Sequence, residues 1–325
     1  MTLFKSVILQ VGDVHFPEWK AAASDIDLKV SEFSQRIVSQ MQIDPLTTVL
    51  AGLRDVCRNE SIDVALLMGD ITSQGKTNYL PNAVATLSGL INDTDADQQI
   101  PIYGVPGNHD VSKNDAVNLG EIGKFGPLQR AYQSVKWPMP PVLVHIKQQL
   151  RPDSGTEIPI YLINSSIGSW SKALFPDGLR ELVFANDTAP IRIADASPFK
   201  DAAVRRDVTK TRTEQVYEQL DTPYFRAVDV QAIAEDIEKH KNLAIVVAHH
   251  NILPQYLPRV SHLGEVLNAG YARQLFLATG AKILYLHGHI HTDPIELVSV
   301  PDEEGVIVSI AAPVLWKGFN LITVF

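Results

Sequence analysis

Five short apolar runs of this chain all end in the same way. "SVILQVGDVH", "IDVALLMGD", "QIPIYGVPGNHD", "LAIVVAHH" and "KILYLHGHIH" pass from aliphatic and β-branched residues straight into Asp, Asn or His. Such runs read as strands buried on both faces, the mark of parallel strands covered by helices. Helical signals separate the first three. "DPLTTVLAGLRDVCRNES" opens on Asp44 as N-cap and Pro45 at the first helical position, and "YLPNAVATLSGLIND" carries apolar residues at helical spacing. A βαβαβ order demands parallel strands joined by right-handed crossovers, and ligands collect beyond the carboxyl ends of such strands. The polar residues of this chain gather at those ends.

From about 111 to 225 the pattern is irregular. "EIPIYLINSSIG" reads as a strand of a second sheet, while "KWPMPPVLVH" and "FPDGLRELVFANDTAPIRIADASPF" read as loops. The expectation is a single domain over 1–325 with a cap or insertion at about 165–224. Order returns in the helix "VDVQAIAEDIEKH" and in "LNAGYARQLFLATG", which ends on Gly280 as a C-cap. "GVIVSIAAPVL" and "FNLITVF" close the chain as strands, and the apolar ending reads as a domain cut from a longer protein.

Composition narrows the classes. A 325-residue chain that is 45% hydrophobic and 20% charged has ample material for a core. Its net charge of −9 counts against a broad basic surface, so nucleic acid is not a favoured partner. Cys57 is the single cysteine, which excludes a disulfide framework and points to a reducing, cytoplasmic setting. No run of ~18 apolar residues predicts a membrane span, and the first apolar run meets Asp13 without a cleavage pattern, so it reads as a strand rather than a signal peptide.

The strand-end residues form five blocks: Asp13-x-His15, Gly69-Asp70, Gly107-Asn108-His109-Asp110, His249-His250 and Gly288-His289-x-His291. Taken singly, Asp13, Asp70 and Asn108 are ordinary turn residues. Together they offer carboxylate, imidazole and amide oxygen without thiolate, a donor set suited to Mn, Fe, Zn or Co. In extended backbone, residues two apart point the same way, so the D-x-H and H-x-H pairs are expected to face one metal pair. Asp70, with two oxygens, is the natural bridge between two cations.

In this order the blocks resemble the calcineurin-like metallophosphoesterase family, whose pattern is D-x-H, GD, GNH[DE], H and GHxH. The resemblance spans nearly the whole chain. It implies an α/β fold: a four-layer α/β/β/α sandwich of two mixed sheets with the site at one edge. It implies two divalent metal ions, Mn2+ foremost, with Fe, Zn or Co as alternatives. One would be held by Asp13, His15, Asp70 and His291, the other by Asp70, Asn108, His249 and His289. By the same resemblance His109 is not a ligand but the catalytic residue that meets the phosphoryl oxygens and helps the leaving group depart, while a metal-bridging hydroxide attacks phosphorus in line.

The implied activity is metal-dependent phosphoester hydrolysis of a small molecule or nucleotide, a phosphodiesterase first. A phosphomonoesterase, a DNA nuclease of the same family and a non-enzymatic scaffold are the rivals. His250, and Arg205 and Arg206 in the basic stretch "KDAAVRRDVTKTR", are candidates for substrate binding. Asn251 replaces the proline that many members carry after His-His, which changes loop shape rather than ligands. His287 precedes Gly288 and reads as a core histidine; His145, His240 and His262 receive no functional role.

Overall fold

A computed structural model describes residues 6–19, 45–92, 99–150, 157–171, 222–253, 266–291, 295–301 and 304–324. The first sheet has the order β10-β1-β2-β3, built from β1 (Ser6–Val11), β2 (Val64–Leu67), β3 (Ile102–Gly104) and β10 (Asn320–Val324). Its first three strands run parallel and β10 pairs antiparallel with β1. The second sheet has the order β4-β5-β6-β7-β9-β8. Its strands are β4 (Ile146–Leu150), β5 (Ile158–Leu162), β6 (Ala244–Val247), β7 (Lys282–His287), β8 (Ile295–Ser299) and β9 (Val306–Ala311). The four central strands are parallel, and the edge strands β4 and β8 are antiparallel to their neighbours.

Alternation along the strands divides the core into three. Ile8, Val64, Leu66, Leu162, Ile245, Val247, Leu284 and Leu286 meet between the sheets. The other faces take helices. On the first sheet, α1 (Pro45–Asn59), α2 (Leu80–Ile91) and α4 (Gly126–Ser134) cover Leu9, Val11 and Leu67, with Leu53, Val84, Leu87 and Leu128 pointing inward. On the second, α5 (Ala227–His240) and α6 (Ala269–Ala278) cover Tyr161, Val246 and Tyr285. The helices form because their apolar residues recur at three and four positions: Leu80, Ala83, Val84, Leu87, Leu90 and Ile91 make one buried stripe of α2. Each buried Leu, Ile or Val contributes about 1.5–3 kcal/mol, so the inter-sheet layer holds the two sheets in one relative position. The result is the four-layer α/β/β/α sandwich.

The irregular stretch after residue 111 is more ordered than its sequence suggests. It contains α3 (Lys113–Gly123), α4 and β4. Gly120 takes φ 75 inside α3, and Gly126 and Pro127 open α4 directly after it. These breaks interrupt the helical period and hide both helices from a pattern reading. Residues 172–221, most of the expected cap together with Arg205 and Arg206, lie outside the described residues, as does Asp44.

One polar side chain crosses between the sheets beneath the site. Gln10 of β1 is wholly buried, and its Nε2 donates to the carbonyls of His287 and Ile310 at 3.1 Å each, while its Oε1 accepts from Asn320 Nδ2 at 3.0 Å. Gln10→Met keeps the volume but removes both donors, leaving buried acceptors short of partners. The expected loss is about 1–3 kcal/mol in urea unfolding of the metal-free protein; a change below about 0.5 kcal/mol would show that the crossing bonds contribute nothing net.

Candidate metal centre

Every block of the sequence pattern lies just beyond a strand. Asp13 and His15 follow β1, Asp70 follows β2, Asn108 and His109 follow β3, His249 and His250 follow β6, and His289 and His291 follow β7. The expected extended geometry of the D-x-H and H-x-H pairs is not what the chain adopts. Asp13, His15, Asp70, His289 and His291 have φ of 48, 50, 49, 68 and 58°, in the left-handed region. Each such residue costs about 1–3 kcal/mol, and that strain is concentrated here. The left-handed turns separate the two H-x-H rings: His291 joins Asp13 and His15, while His289 joins His249 and His250.

The ligand-type atoms of the groups Asp13/His15/His291, Asp13/Asp70/His249, His15/Asp70/His109 and His249/His250/His289 each lie within 4.8 Å of one another. Asp13, His15, Asp70 and His249 are each shared by two of these groups. His249 Nε2 is 3.3 Å from Asp70 Oδ2, His291 Nε2 is 3.5 Å from Asp13 Oδ1, and His15 Nε2 is 3.2 Å from His291 Nε2. Asp13, His15, Asp70 and His249 are at most 1% exposed, whereas His109, His289 and His291 are half-buried and form the open side.

Supporting bonds orient these groups. His249 Nδ1 donates to the Met68 carbonyl at 2.6 Å, which turns Nε2 toward Asp70. The His289 amide donates to both Asp13 oxygens at 3.0 Å, and the His109 amide donates to Asp70 Oδ1 at 2.8 Å. The Gln74 amide donates to His109 Nδ1 at 2.8 Å. That nitrogen therefore accepts, and the ring proton sits on Nε2, which faces Asp70 Oδ2 at 4.0 Å. Gly107 has no alternative residue: a Cβ there would stand 2.1 Å from Asp70 N and Oδ1.

The donor set fits a cation. The Asn108 amide oxygen lies 3.3 Å from both Asp70 oxygens and 2.8 Å from His249 Nε2. Turning the amide over would let its nitrogen donate to both Asp70 oxygens; as it stands, the amide and carboxylate oxygens face one another, the arrangement that a shared cation stabilises. The electrostatics agree. Burial disfavours charge on His249, but Asp70 beside it overrides this and carries its pKa up to about 10. Burial raises Asp70, yet His249 and His109 hold its carboxyl well below the usual range. Burial drives His15 down to about 3. In the metal-free site the His249 imidazolium thus answers to the buried Asp70 carboxylate, the role a divalent ion would take over.

Two places depart from expectation. His250 is wholly buried, with Nδ1 at 2.9 Å from Ser165 Oγ, so it has no surface to offer a substrate. Its expected substrate contact is corrected to a supporting position behind His249 and His289, whose rings are 4.6 and 4.4 Å away. Asp110 received no role from the sequence, yet its carboxylate accepts from the amides of Thr72 and Gly107 at 3.0 Å each, tying the two turns that carry Asp70 and Asn108. The signal was present as the acid closing the GNHD block. His287 is a buried core histidine, as expected; its Nδ1 lies 3.1 Å from the Gly288 carbonyl.

A model of the calcineurin-like phosphoesterase family matches residues 6–293. The chain belongs to that family. This calcineurin-like phosphoesterase is accordingly a hydrolase that acts on phosphoesters and depends on metal, and the Asp/His cluster fits a metal site. Among solved structures, a dimetal phosphatase from Danio rerio shares the fold at 10% identity and a TM-score of 0.54, over 98% of this chain and 91% of that one. GAP50, the anchor in the inner membrane complex of Plasmodium, aligns at 13% identity and a TM-score of 0.45, over 94% of this chain and 71% of that one. The latter likeness is too loose to bear on function. No curated protein matches the sequence. Among the described residues no helix is long and apolar enough to cross a membrane.

The raised pKa of His249 has a measurable sign. In the metal-free protein its protonated form is favoured by folding, so that contribution is complete below its ordinary value of 6.5 and is lost as pH rises through about 10. A metal held by His249 would displace that proton. Titration of metal into metal-free protein at about pH 8, in two buffers of different ionisation enthalpy, should report proton release near one equivalent. No release would show that His249 enters the site already neutral.

Proposed function

We propose that the protein is a phosphodiesterase with two divalent metal ions, Mn2+ foremost, working as one domain with a cap formed within 165–224. Asp13, His15, Asp70 and His291 would hold one ion, and Asp70, Asn108, His249 and His289 the other. The reading rests on Asp70, wholly buried between the two sets, whose Oδ2 lies 3.3 Å from His249 Nε2 and 4.0 Å from His15 Nε2. Bound there, the ions neutralise the charge that develops on the phosphoryl oxygens and lower the pKa of the attacking water.

The chain's own residues do the rest. Burial of Asp13, Asp70 and His249 keeps bulk water from screening the site, which strengthens each electrostatic contact. Met68, Gln74 and the His289 amide fix ring and carboxylate orientations before substrate arrives. The single observation that favours a diester is the placement of His109. Its Nδ1 is occupied by the Gln74 amide, its Nε2–H faces the site, and its side chain is on the open side. An ester expels a poorly stabilised alkoxide, and an N–H aimed at that oxygen meets the charge as it builds; in a diester, which has no ionisable proton of its own to give, that donor must come from the protein.

Arg205 and Arg206 remain candidates for holding a second phosphate or a nucleotide portion of substrate. The lone Cys57 supports a reducing, cytoplasmic location.

Asp70→Asn should weaken both metals and abolish most turnover, because both ion sites lose the shared charge; near-normal turnover would refute the assignment. His109→Asn should leave metal content intact and slow hydrolysis by about 10²–10³-fold. Metal loss in that variant would make His109 a ligand instead. With Mn2+ supplied to stripped protein, bis-p-nitrophenyl phosphate should be cleaved faster than p-nitrophenyl phosphate. Preference for the monoester would replace the diesterase reading with a phosphatase one.

A further inference from the structure

Ser165 and Ser166 follow β5 on the second sheet, and both are wholly buried. Their hydroxyls reach in different directions. Ser166 Oγ donates to the Pro106 carbonyl at 3.0 Å, crossing to the first sheet two residues before Asn108. Ser165 Oγ contacts His250 Nδ1 at 2.9 Å and accepts the His250 amide at 3.1 Å, one residue after His249. The dipeptide therefore touches the neighbours of Asn108 and His249, whose Oδ1 and Nε2 lie 2.8 Å apart.

The pair is itself held from behind. The Ser166 amide donates to Asn164 Oδ1 at 2.8 Å, and Asn164 Nδ2 donates to the Val142 carbonyl at 2.9 Å. Lys124, also wholly buried, donates from Nζ to the carbonyls of Ile167 at 2.8 Å and Ser169 at 2.6 Å, with Glu121 Oε2 at 3.4 Å. An ammonium is costly to bury, and charge-assisted bonds of this kind are stronger than neutral ones. They fix the backbone immediately after the serines.

We propose that Ser165 and Ser166 are positioning residues that set the span between Asn108 and His249, and hence the affinity of the ion held by Asp70, Asn108, His249 and His289. This rests on the metal assignment above. The other ion would lie among Asp13, His15, Asp70 and His291, and among the described residues neither serine side chain hydrogen-bonds to the turns that carry Asp13, His15 or His291. The serines therefore act on one of the two ions. A residue that merely stabilised the fold would weaken both alike.

The test is equilibrium dialysis of the full chain with Mn2+, with electron paramagnetic resonance of the bound metal. Wild type binds two equivalents and gives the spectrum of a spin-coupled pair. Ser166→Ala keeps one equivalent at unchanged affinity, weakens the other by roughly 10–100-fold, and at limiting metal gives the spectrum of an isolated ion. Ser166→Thr, which retains the hydroxyl, keeps the second equivalent. Ser165→Ala acts on the same ion through His250 and carries the test if Ser166→Ala does not fold. Val84→Ala, in the helix-facing core, lowers Tm but retains both ions.

If wild type binds two ions and both serine variants do so with unchanged affinities, the positioning role is overturned while the metal assignment stands. Equal weakening of both ions, or loss of the second ion in Val84→Ala as well, also overturns it. If wild type itself fails to bind two, the metal assignment falls and the positioning role with it.

Discussion

Two carboxylates buried side by side are the constraint on which this structure turns. Asp13 and Asp70 are essentially unexposed, and their oxygens approach within 4.8 Å of one another and of His249. Buried like charges repel, and removing each from water costs several kcal/mol unless a counter-charge is present. Without metal, a raised His249 is the nearest available cation. In the proposed metal site the same carboxylates would supply the negative charge that holds the ions. The surroundings meet that demand: amides of His109 and His289 point at the carboxylates, and imidazoles close the remaining directions.

The sandwich makes this convergence possible because each sheet supplies half of it. Asp13, His15, Asp70 and Asn108 come from turns of the first sheet, and His249, His289 and His291 from turns of the second. A small relative slip of the sheets would pull the halves apart. The apolar layer between them resists such a slip non-specifically, whereas Gln10, Ser166 and the His249–Met68 bond fix the register with directional contacts. The left-handed turns at five of the cluster residues act in the same sense. Their strain persists only because packing and hydrogen bonds on every side determine the conformation.

How far the chain was legible depended on whether a residue's role was local. The buried strands and α1, α2, α5 and α6 were readable because apolar periodicity is a local property. α3 and α4 escaped because glycine and proline break their period within a few residues. The strand-end blocks were readable as a set, since parallel strands place their carboxyl ends together. The geometry inside each block was not. Alternation implied one shared face for His289 and His291, and a left-handed turn sent them to different partners. The family pattern singled out His249 as the ligand, but only packing against Ser165 showed where His250 sits.

The sequence by itself determined the alternation of buried strands and helices, the order of the polar blocks and the chemical type of each side chain at the site. These follow from hydrophobic period and residue identity, which are written along the chain. Tertiary structure alone decided which nitrogen of His109 carries the proton, which imidazoles share a carboxylate, and how Asp110, Gln10, Lys124 and the serine pair brace the turns. Those features arise between residues up to 310 positions apart. Hydrogen bonds are set by distance and angle in space, and spacing along the chain carries no record of either.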